Sequence, residues 1–311
     1  MAQYSKLQES EIREISSKYG LKVIDYGPIE GGAGNSSYFV RTTHKQYILT
    51  VFEIEHFRVV NLCNLLRLLE EYRFPTTRVQ KLANGDAITS IQSKPVLVKP
   101  YITGQVRKDL DENMIVQLGS ALSRLHKIPS PEYLPGQHAY GLETFPRVMK
   151  RGIDPEYENW LAEKYNILLQ TMPSELPRGL IHGDVFFDNI LFEGETFKAL
   201  IDFEDACHYL NVFDLGMAAV GLCSNNSKVS LTKVRSLVNG YQIIRELEEQ
   251  EKKVLQLFVE YAAIATSSWR FWKYNIETPI AEKSDIHYEM VNIAKDVRGI
   301  QEAEFIRAVF T

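Results

Sequence analysis

Residues 182–189 carry the side chains with the clearest chemical potential in this sequence. The segment reads His-Gly-Asp-Val-Phe-Phe-Asp-Asn, with Asp184 two residues after the histidine and Asn189 five residues later. A second carboxylate, Asp202, ends the apolar run Ala-Leu-Ile and precedes a phenylalanine. A carboxylate beside a hydroxyl group can orient it and accept its proton, while a carboxylate and an amide oxygen suit Mg²⁺. The set predicts phosphoryl transfer, with Asp184 as the base and Asn189 and Asp202 as metal ligands.

The order of the two motifs strengthens this prediction. Kinases carry His-x-Asp, then four residues before Asn, and then Asp-Phe, and here 13 residues separate Asn189 from Asp202. Either motif alone is common by chance, but both in this order around a predicted β-hairpin are not. We expect His182 to shape the loop by hydrogen bonding rather than to titrate during turnover.

A glycine-rich segment between two predicted strands is the candidate phosphate loop. Residues 30–38 read Glu-Gly-Gly-Ala-Gly-Asn-Ser-Ser-Tyr, and glycines let backbone amides approach a phosphate closely. Taken alone, the segment is better explained as an ordinary turn, but its place about 150 residues ahead of the catalytic loop favours a role with ATP. It is not a Walker A motif, because no Gly-Lys-Ser/Thr follows. The nominated residues are Gly31, Gly32, Gly34, Asn35 and Ser36.

The elements that must position these residues form two groups. In the first third of the chain, alternating apolar residues predict strands, and two segments show helical spacing. The predicted helices there span 6–19, with Ser5 as its N-cap, and 55–72, and the predicted strands span 22–28, 37–43, 46–53, 78–83, 87–92 and 96–98. Asn84-Gly85-Asp86 predicts a hairpin turn. The remainder is mainly helical, at 109–127, 155–171, 212–223, 228–247, 250–275 and 282–296, with a β-rich interlude at 179–203.

This pattern predicts an α+β fold of two lobes. Residues 1–98 form a small nucleotide-binding lobe with an antiparallel sheet and a helix, 99–104 form a hinge, and 105–311 form a larger, mainly helical lobe for catalysis and substrate binding. Ligands favour clefts between such units. An extended hinge can offer backbone groups to adenine, which nominates Lys99, Tyr101 and Ile102.

The bulk composition narrows the class of protein. A net charge of −5 and a pI near 5.9 over 311 residues argue against a nucleic-acid partner, since such partners leave a basic footprint. The three cysteines are widely spaced, which disfavours a disulfide framework or a zinc site. The sequence shows neither a signal-peptide pattern nor a run long enough to span a bilayer. We expect a cytoplasmic protein without membrane contact, of undetermined oligomeric state.

The motifs together resemble the aminoglycoside phosphotransferase and choline kinase superfamily, which has a protein-kinase-like fold. The shared features are the loop 182–189, Ile201-Asp202-Phe203 and Phe213-Asp214-Leu215. The resemblance extends over nearly the whole chain and is closest to the bacterial homoserine kinases of this fold, which act in threonine biosynthesis. The segments that carry the closer match are 47–53, 179–189, 239–242 and 269–271.

The resemblance implies that ATP and Mg²⁺ are required and that the three predicted active-site residues keep the roles given above. It further implies that Asp214 is a structural carboxylate supporting the catalytic loop. Asp188 either shares that task or faces solvent. His126, at the end of a predicted helix, is read as structural.

Two positions depart from the protein-kinase pattern. Protein kinases carry a lysine on the third strand that binds the α- and β-phosphates, whereas the aligned residue here is Thr50, which can donate a hydrogen bond but carries no charge. The homoserine kinases that this chain resembles also have threonine there. The cation for the phosphates stays open among Lys45, Arg58 and Lys99. Glu204 replaces the glycine of Asp-Phe-Gly, which argues against a flipping activation segment.

Homoserine carries an ammonium, a carboxylate and a primary hydroxyl, so a site for it needs an acid and a cation. We assign Glu204 and Asp205 to the ammonium, because they follow Asp202 directly. Arg270, in an aromatic-rich helix, is assigned to the carboxylate, which its planar guanidinium can bind through two hydrogen bonds. A solvated turn and an ordinary ion pair are the alternative interpretations of these residues.

Other acceptors and another class of protein stay open. Choline or ethanolamine would favour an aromatic cage, although helical aromatic stripes are more often core; its candidates are Tyr209, Trp269, Phe271, Trp272 and Tyr274. Hydroxylysine, a methylthioribose-type sugar and an aminoglycoside are further alternatives. A nucleotide-binding pseudokinase is disfavoured because all three active-site residues are present. A protein kinase is disfavoured because no Ala-Pro-Glu segment follows Asp202.

Overall fold

The computed structural model describes residues 5–29, 34–173 and 175–311, so the predicted phosphate ligands Gly31 and Gly32 lie outside the described residues. The chain divides into two compact units, Met1–Gly104 with Lys198–Glu204, and Gln105–Phe197 with Asp205–Thr311. The sequence pattern places residues 198–204 in the larger lobe. In the structure they group with the first unit, where the Leu200 amide donates to the Pro75 carbonyl and Phe203 packs edge-on against Phe74.

The first unit is built on a five-stranded antiparallel sheet with the strand order β1-β2-β3-β5-β4. Its elements in chain order are α1 (Glu9–Lys18), β1 (Asp25–Pro28), β2 (Ser36–Arg41), β3 (Gln46–Val51), α2 (His56–Glu71), β4 (Ile88–Ile91) and β5 (Lys94–Pro100). Alternate residues of the central strands, such as Leu49 and Val51, are fully buried in one core with Ile12 and Ile15 of α1. Because successive strand residues face opposite sides, Thr50 belongs to the other face of the sheet.

One predicted hairpin is wrong in its pairing. The segment 78–83 is not a strand, and β4 instead pairs with β5 across the turn Gln92-Ser93. Both turn residues have positive φ, 51° and 65°, as a tight hairpin turn requires. Gln-Ser lacks the usual glycine or asparagine signal, which is why the sequence pattern favoured the Asn84-Gly85 turn instead. The predicted cap is also different, because the N-cap of α1 is Gln8 and not Ser5.

The second unit is mainly helical. Its helices are α3 (Glu112–His126), α4 (Pro155–Thr171), α5 (Asn211–Leu222), α6 (Leu231–Gln242), α7 (Glu249–Phe271), α8 (His287–Gly299) and α9 (Glu302–Phe310). Its short strands form two-stranded sheets; they are β6 (Arg178–Ile181), β7 (Ile190–Glu193), β8 (Thr196–Leu200), β9 (Cys207–Leu210), β10 (Ser224–Asn225) and β11 (Lys228–Val229). The division between the units falls within β8. The predicted helix at 250–275 ends at Phe271 and continues as one π-helical turn, Trp272–Glu277.

Two glycines set the packing of α3 on α6. A Cβ on Gly119 would overlap the carbonyl oxygen of Leu237, and a Cβ on Gly240 would overlap that of Val116. Only glycine permits so close an approach of two helix backbones. The contact fixes α3 and α6 side by side, which brings the ends of these helices to the catalytic loop described below.

The predicted α+β class is confirmed, with an N-terminal antiparallel sheet followed by a mainly helical unit. Each of the three cysteines is buried with a free thiol. Among the helices of the described residues, none is both long and apolar enough to cross a bilayer.

Candidate active site

The predicted catalytic loop, residues 182–189, begins where β6 ends and is held by a carboxylate of the helix α5. Asp214, in the first turn of α5, is fully buried and accepts hydrogen bonds from the amides of His182 and Gly183, each at 2.8 Å. Burial by itself raises the pKa of the Asp214 carboxyl. The hydrogen bond from His126 and that from the Gly183 amide outweigh burial, so the pKa of this carboxyl lies below its ordinary value.

Gly183 is required by both its conformation and its surroundings. Its φ is +86°, in the left-handed region where side chains are strained. A Cβ there would lie 2.7 Å from Nε2 of His138 and 2.9 Å from the carbonyl oxygen of Asp205. The loop therefore turns sharply between His182 and Asp184 while remaining tightly covered on one side.

Asp184 and Asn189 are joined directly. Nδ2 of Asn189 donates to the backbone oxygen of Asp184 at 2.9 Å and to its Oδ2 at 2.8 Å. The amide of Asp184 in turn donates to Nδ1 of His182 at 3.2 Å. Since the amide nitrogen of Asn189 is used in this way, its Oδ1 is the atom left to bind a metal ion. Asp184, the predicted base, is partly exposed, whereas Asp188 of the same loop is exposed.

A buried chain of polar side chains extends from Asp214 to the start of α7. Nε2 of His126 lies 3.1 Å from Asp214, and Nδ1 of His126 lies 2.7 Å from the hydroxyl of Tyr241. Arg245 donates to that hydroxyl and binds Glu251, itself fully buried, through two hydrogen bonds. With the proton of His126 on Nε2, each group in this chain donates a hydrogen bond to the next one, from the guanidinium of Arg245 to the carboxylate of Asp214. Tyr241 thus ties the 239–242 motif to the catalytic loop.

Asp202, the second predicted metal ligand, has an unusual backbone. Its φ is +68°, a conformation that costs a non-glycine residue about 1–3 kcal/mol and that clusters at functional sites. Phe203 follows and is buried. The strained aspartate is therefore fixed between the end of β8 and a buried aromatic side chain within the first unit.

The sheet residues that were predicted to bind the nucleotide do not all lie on the same face of the sheet. The Thr50 hydroxyl lies 3.2 Å from that of Ser37, and Lys99 belongs to the same face, because Leu97 pairs with Thr50 and Ile48 with Lys99. The ammonium of Lys99 lies over the ring of Phe52, 5.7 Å from its centre. Ser36 belongs to the α1 face, where its buried hydroxyl accepts from the Ser5 amide. Of the two serines, Ser37 is thus the one beside Thr50.

The end of the glycine-rich segment is also anchored within the first unit. Oδ1 of Asn35 accepts from the amide of Glu53, and Nδ2 of Asn35 lies 2.7 Å from both carboxylate oxygens of Glu204. The carboxylate of Glu204 is therefore bound to Asn35. In the predicted hinge, the amide of Tyr101 donates to the carbonyl of Gln46, which extends the pairing of β5 with β3 by one residue.

The residues that the sequence predicts to bind the acceptor have different partners in the structure. Arg270 donates to Glu289 at 2.6 Å and to the carbonyl of Ile286 at 3.1 Å, so its guanidinium is held by α8. Asp205, by contrast, accepts a hydrogen bond of 3.2 Å from the hydroxyl of Tyr140. Among the proposed cage residues, Phe271 is core, because it stacks on the ring of Tyr157 at 4.7 Å.

Sequence reasoning missed the segment His138-Ala139-Tyr140. Nε2 of His138 lies 3.0 Å from the carbonyl oxygen of Gly183, and Nδ1 accepts from the amide of Tyr140. Burial lowers the pKa of His138 to about 4, so this ring is neutral at physiological pH. The segment lies in an irregular stretch more than 40 residues before the loop, and a His-x-Tyr pair in a loop was the only available signal.

The comparisons with known proteins identify the family of this chain. A model of the phosphotransferase enzyme family matches residues 25–247. The chain is similar to the homoserine kinase of Chelativorans sp. (strain BNC1), with 27% identity over 274 residues that cover 85% of each chain.

The solved structures show the same fold. The amicoumacin kinase hAmiN, in complex with AMP-PNP, Ca²⁺ and Ami, is similar over 96% of this chain and 97% of its own, with 13% identity and a TM-score of 0.77. A microcompartment-associated aminopropanol kinase is similar over 97% of this chain and 100% of its own, with 17% identity and a TM-score of 0.76. The chain therefore belongs to the APH phosphotransferase family and is a small-molecule kinase that transfers a phosphoryl group to a hydroxyl.

Proposed function

We propose that this enzyme phosphorylates the hydroxyl of L-homoserine, with ATP as the donor and Mg²⁺ as the metal. The observation that carries the kinase assignment is the Asp184–Asn189 pair, held on the buried carboxylate of Asp214. The choice of homoserine is supported by the similarity to a homoserine kinase over 85% of both chains.

The nucleotide is assigned to residues of the first unit and its metal to two oxygen ligands. We assign the phosphates to the segment that ends at Gly34 and Asn35, and to Thr50 with Lys99, while adenine is assigned to the backbone of residues 99–102. The metal ligands are Oδ1 of Asn189 and the carboxylate of Asp202. An amide oxygen and a carboxylate form the hard donor set that Mg²⁺ prefers, and bound Mg²⁺ neutralises charge on the phosphate oxygens.

The chemical step follows from the position of Asp184. The acceptor hydroxyl oxygen attacks the γ-phosphorus, and the bond from that phosphorus to the oxygen bridging it to the β-phosphate breaks. ADP leaves with that oxygen, and the proton of the hydroxyl passes to Asp184. Asn189 holds the carboxylate in place by donating to its Oδ2.

Another amino alcohol is the second candidate acceptor. The hydroxyl of Tyr140 bonds Asp205, and the ring of Trp269 lies 5.8 Å from that of Tyr140, centre to centre. Such a pairing of a carboxylate with aromatic faces suits an ammonium. Ethanolamine, choline and 1-amino-2-propanol therefore belong beside homoserine in any test.

The test is ATP-dependent phosphorylation of an acceptor panel by the purified protein with Mg²⁺. The panel contains L-homoserine, 1-amino-2-propanol, ethanolamine, choline, hydroxylysine, methylthioribose and kanamycin. We expect the highest kcat/KM with L-homoserine. A higher value with another alcohol would replace the acceptor and leave the kinase chemistry intact.

Two variants test the chemistry itself. Asp184→Asn should lower kcat by about 10²–10⁴-fold, the usual contribution of a general base, with the Kd of ATP unchanged. Asp202→Ala should weaken binding of Mg²⁺-ATP and turnover together. Normal activity of either variant would refute the role given to that residue.

A further inference from the structure

Tyr140 holds an unusual place between two carboxylates of the second unit. Its side chain is buried, and its hydroxyl donates to Oδ2 of Asp205 and lies within hydrogen-bonding reach of Asp184. Burial, and then the charges of Asp184 and Asp205, raise the pKa of the Tyr140 hydroxyl well above its ordinary value. The group is therefore a permanent hydrogen-bond donor, with one proton to share between two acceptors.

The neighbouring His138 fixes where this hydroxyl lies. Because Nδ1 of His138 accepts from the Tyr140 amide, Nε2 carries the proton and donates to the carbonyl of Gly183. The two rings are 4.4 Å apart, centre to centre, and the imidazole also packs 4.8 Å from the ring of Phe213. His138 thus connects the backbone of Tyr140 to the loop that carries Asp184.

We infer that Tyr140 is a positioning residue that sets the separation of Asp184 from Asp205, so that one acceptor molecule places its hydroxyl at Asp184 and its ammonium at Asp205. The inference rests on the proposed function, since it takes Asp184 as the base. The inference also gives different roles to Glu204 and Asp205, which are adjacent in the sequence and were both assigned to the ammonium. Glu204 is bound to Asn35 in the first unit, while Asp205 belongs to the acceptor subsite.

The distance between the carboxylates of Asp184 and Asp205 suits a short amino alcohol. Two carboxylates that share one phenol oxygen at hydrogen-bond distance have nearest oxygens no more than about 6 Å apart. In homoserine, three carbon atoms separate the hydroxyl oxygen from the nitrogen, a span of at most about 5 Å with bonds of about 1.5 Å. The face of Trp269, next to Tyr140, would then lie beside the cation, where an aromatic ring attracts it.

The experiment compares acceptors that differ only in the ammonium. L-Homoserine is paired with 4-hydroxybutyrate, which lacks the amino group, and ethanolamine is paired with ethylene glycol. Each ligand is measured by kcat/KM, and also by calorimetric binding in the presence of ADP and Mg²⁺, which needs no turnover. The parent enzyme should prefer the amine-bearing member of a pair by about 100-fold or more.

The informative variants are Tyr140→Phe, which removes only the hydroxyl, and Asp205→Asn, which removes only the charge. Asp205→Asn should reduce the preference for the amine to less than about 5-fold, and Tyr140→Phe should reduce it by about 10-fold, with the Kd of ATP within twofold of the parent. The matched control is Tyr157→Phe, whose buried hydroxyl bonds Ser267; it should keep the parent preference.

Two outcomes would overturn the inference. One is that Tyr140→Phe lowers activity with both members of a pair by the same factor, which is the behaviour of a structural residue. The other is that the parent prefers the ligands without an ammonium. A third outcome separates the two proposals. If the parent prefers ethanolamine to ethylene glycol, the variants lose that preference and homoserine does not react, the homoserine proposal fails and the inference stands.

Discussion

The carboxylate of Asp214 offers the most direct test of how the catalytic loop is held. We consider Asp214→Asn, which keeps the shape of the side chain but leaves one carbonyl oxygen in place of two. Oδ2 accepts two hydrogen bonds, from His126 and from the His182 amide, and Oδ1 accepts one, from Gly183. The best orientation of the amide therefore keeps the first two bonds and turns its NH₂ group toward the Gly183 amide.

The expected loss of stability follows from this change at the N–H group of Gly183. A hydrogen bond to a charged group is lost, which contributes about 1.5–3 kcal/mol, and a buried donor stays unsatisfied at a cost of about 1–3 kcal/mol. Removal of a buried charge offsets part of this cost, because the carboxylate no longer has to be desolvated. We expect a net loss of about 2–4 kcal/mol in the free energy of unfolding, or about 30- to 700-fold in the equilibrium constant.

Urea unfolding followed by tryptophan fluorescence is the appropriate assay. The three tryptophans, Trp160, Trp269 and Trp272, all belong to the second unit, so their signal reports on the unit that contains Asp214. The control is Asp109→Asn, the same substitution in a surface pair whose aspartate side chain is 94% exposed. Such pairs contribute about 0–1 kcal/mol.

The pH dependence gives a second, independent readout. Since the pKa of Asp214 is lower in the folded state, its ionised carboxylate contributes to the free energy of unfolding at pH values above the unfolded pKa of about 3.9. It is lost as pH falls through the folded pKa. The difference between parent and variant should therefore be constant from pH 7 to about pH 5 and shrink in stronger acid. A variant as stable and active as Asp109→Asn at pH 7 would refute the account of the loop.

Two further predictions concern charge. Lys99→Met should raise the KM of ATP about 10-fold, because Lys99 is the one of the three candidate cations that shares a sheet face with Thr50, while Lys45→Met, in an exposed turn, should have no effect; equal KM values for the two variants would contradict this. His138, with a folded pKa of about 4 against about 6.5 unfolded, binds its proton more readily when unfolded, so stability should rise with pH between these values. From pH 5 to 6.5 the parent should gain about 1.6 kcal/mol more than His138→Asn, measured by urea unfolding, and parallel pH curves would rule out the buried neutral ring.

The strained backbone of Asp202 and the glycines of α3 and α6 are features whose structural reason the local sequence does not show. Gly240 was part of a recognisable motif, but its reason became visible only when a Cβ was found to overlap the backbone of α3. Tyr241, its neighbour, acts through His126 on a loop 59 residues earlier in the chain. Helix–helix proximity is set by packing between distant segments, and no local pattern records it.

The sequence by itself determined the fold class and the class of reaction, and it brought two polar side chains of one loop together. Asp184 and Asn189 lie five residues apart in one loop, so their hydrogen bond depends on local turns and glycine conformation, which short-range spacing encodes. This information is local, because the turn depends on the left-handed conformation that Gly183 allows.

Only the tertiary structure decided the partners of the residues that the sequence predicts to bind the acceptor. Glu204 and Asp205 are adjacent and chemically alike, yet one is bound to Asn35 and the other to Tyr140. Arg270 is bound by Glu289 of α8, and Tyr140 reaches Asp205 across 65 residues. A side chain's partner is chosen by packing of segments far apart in sequence, and the free energy of that packing belongs to the whole unit rather than to any motif.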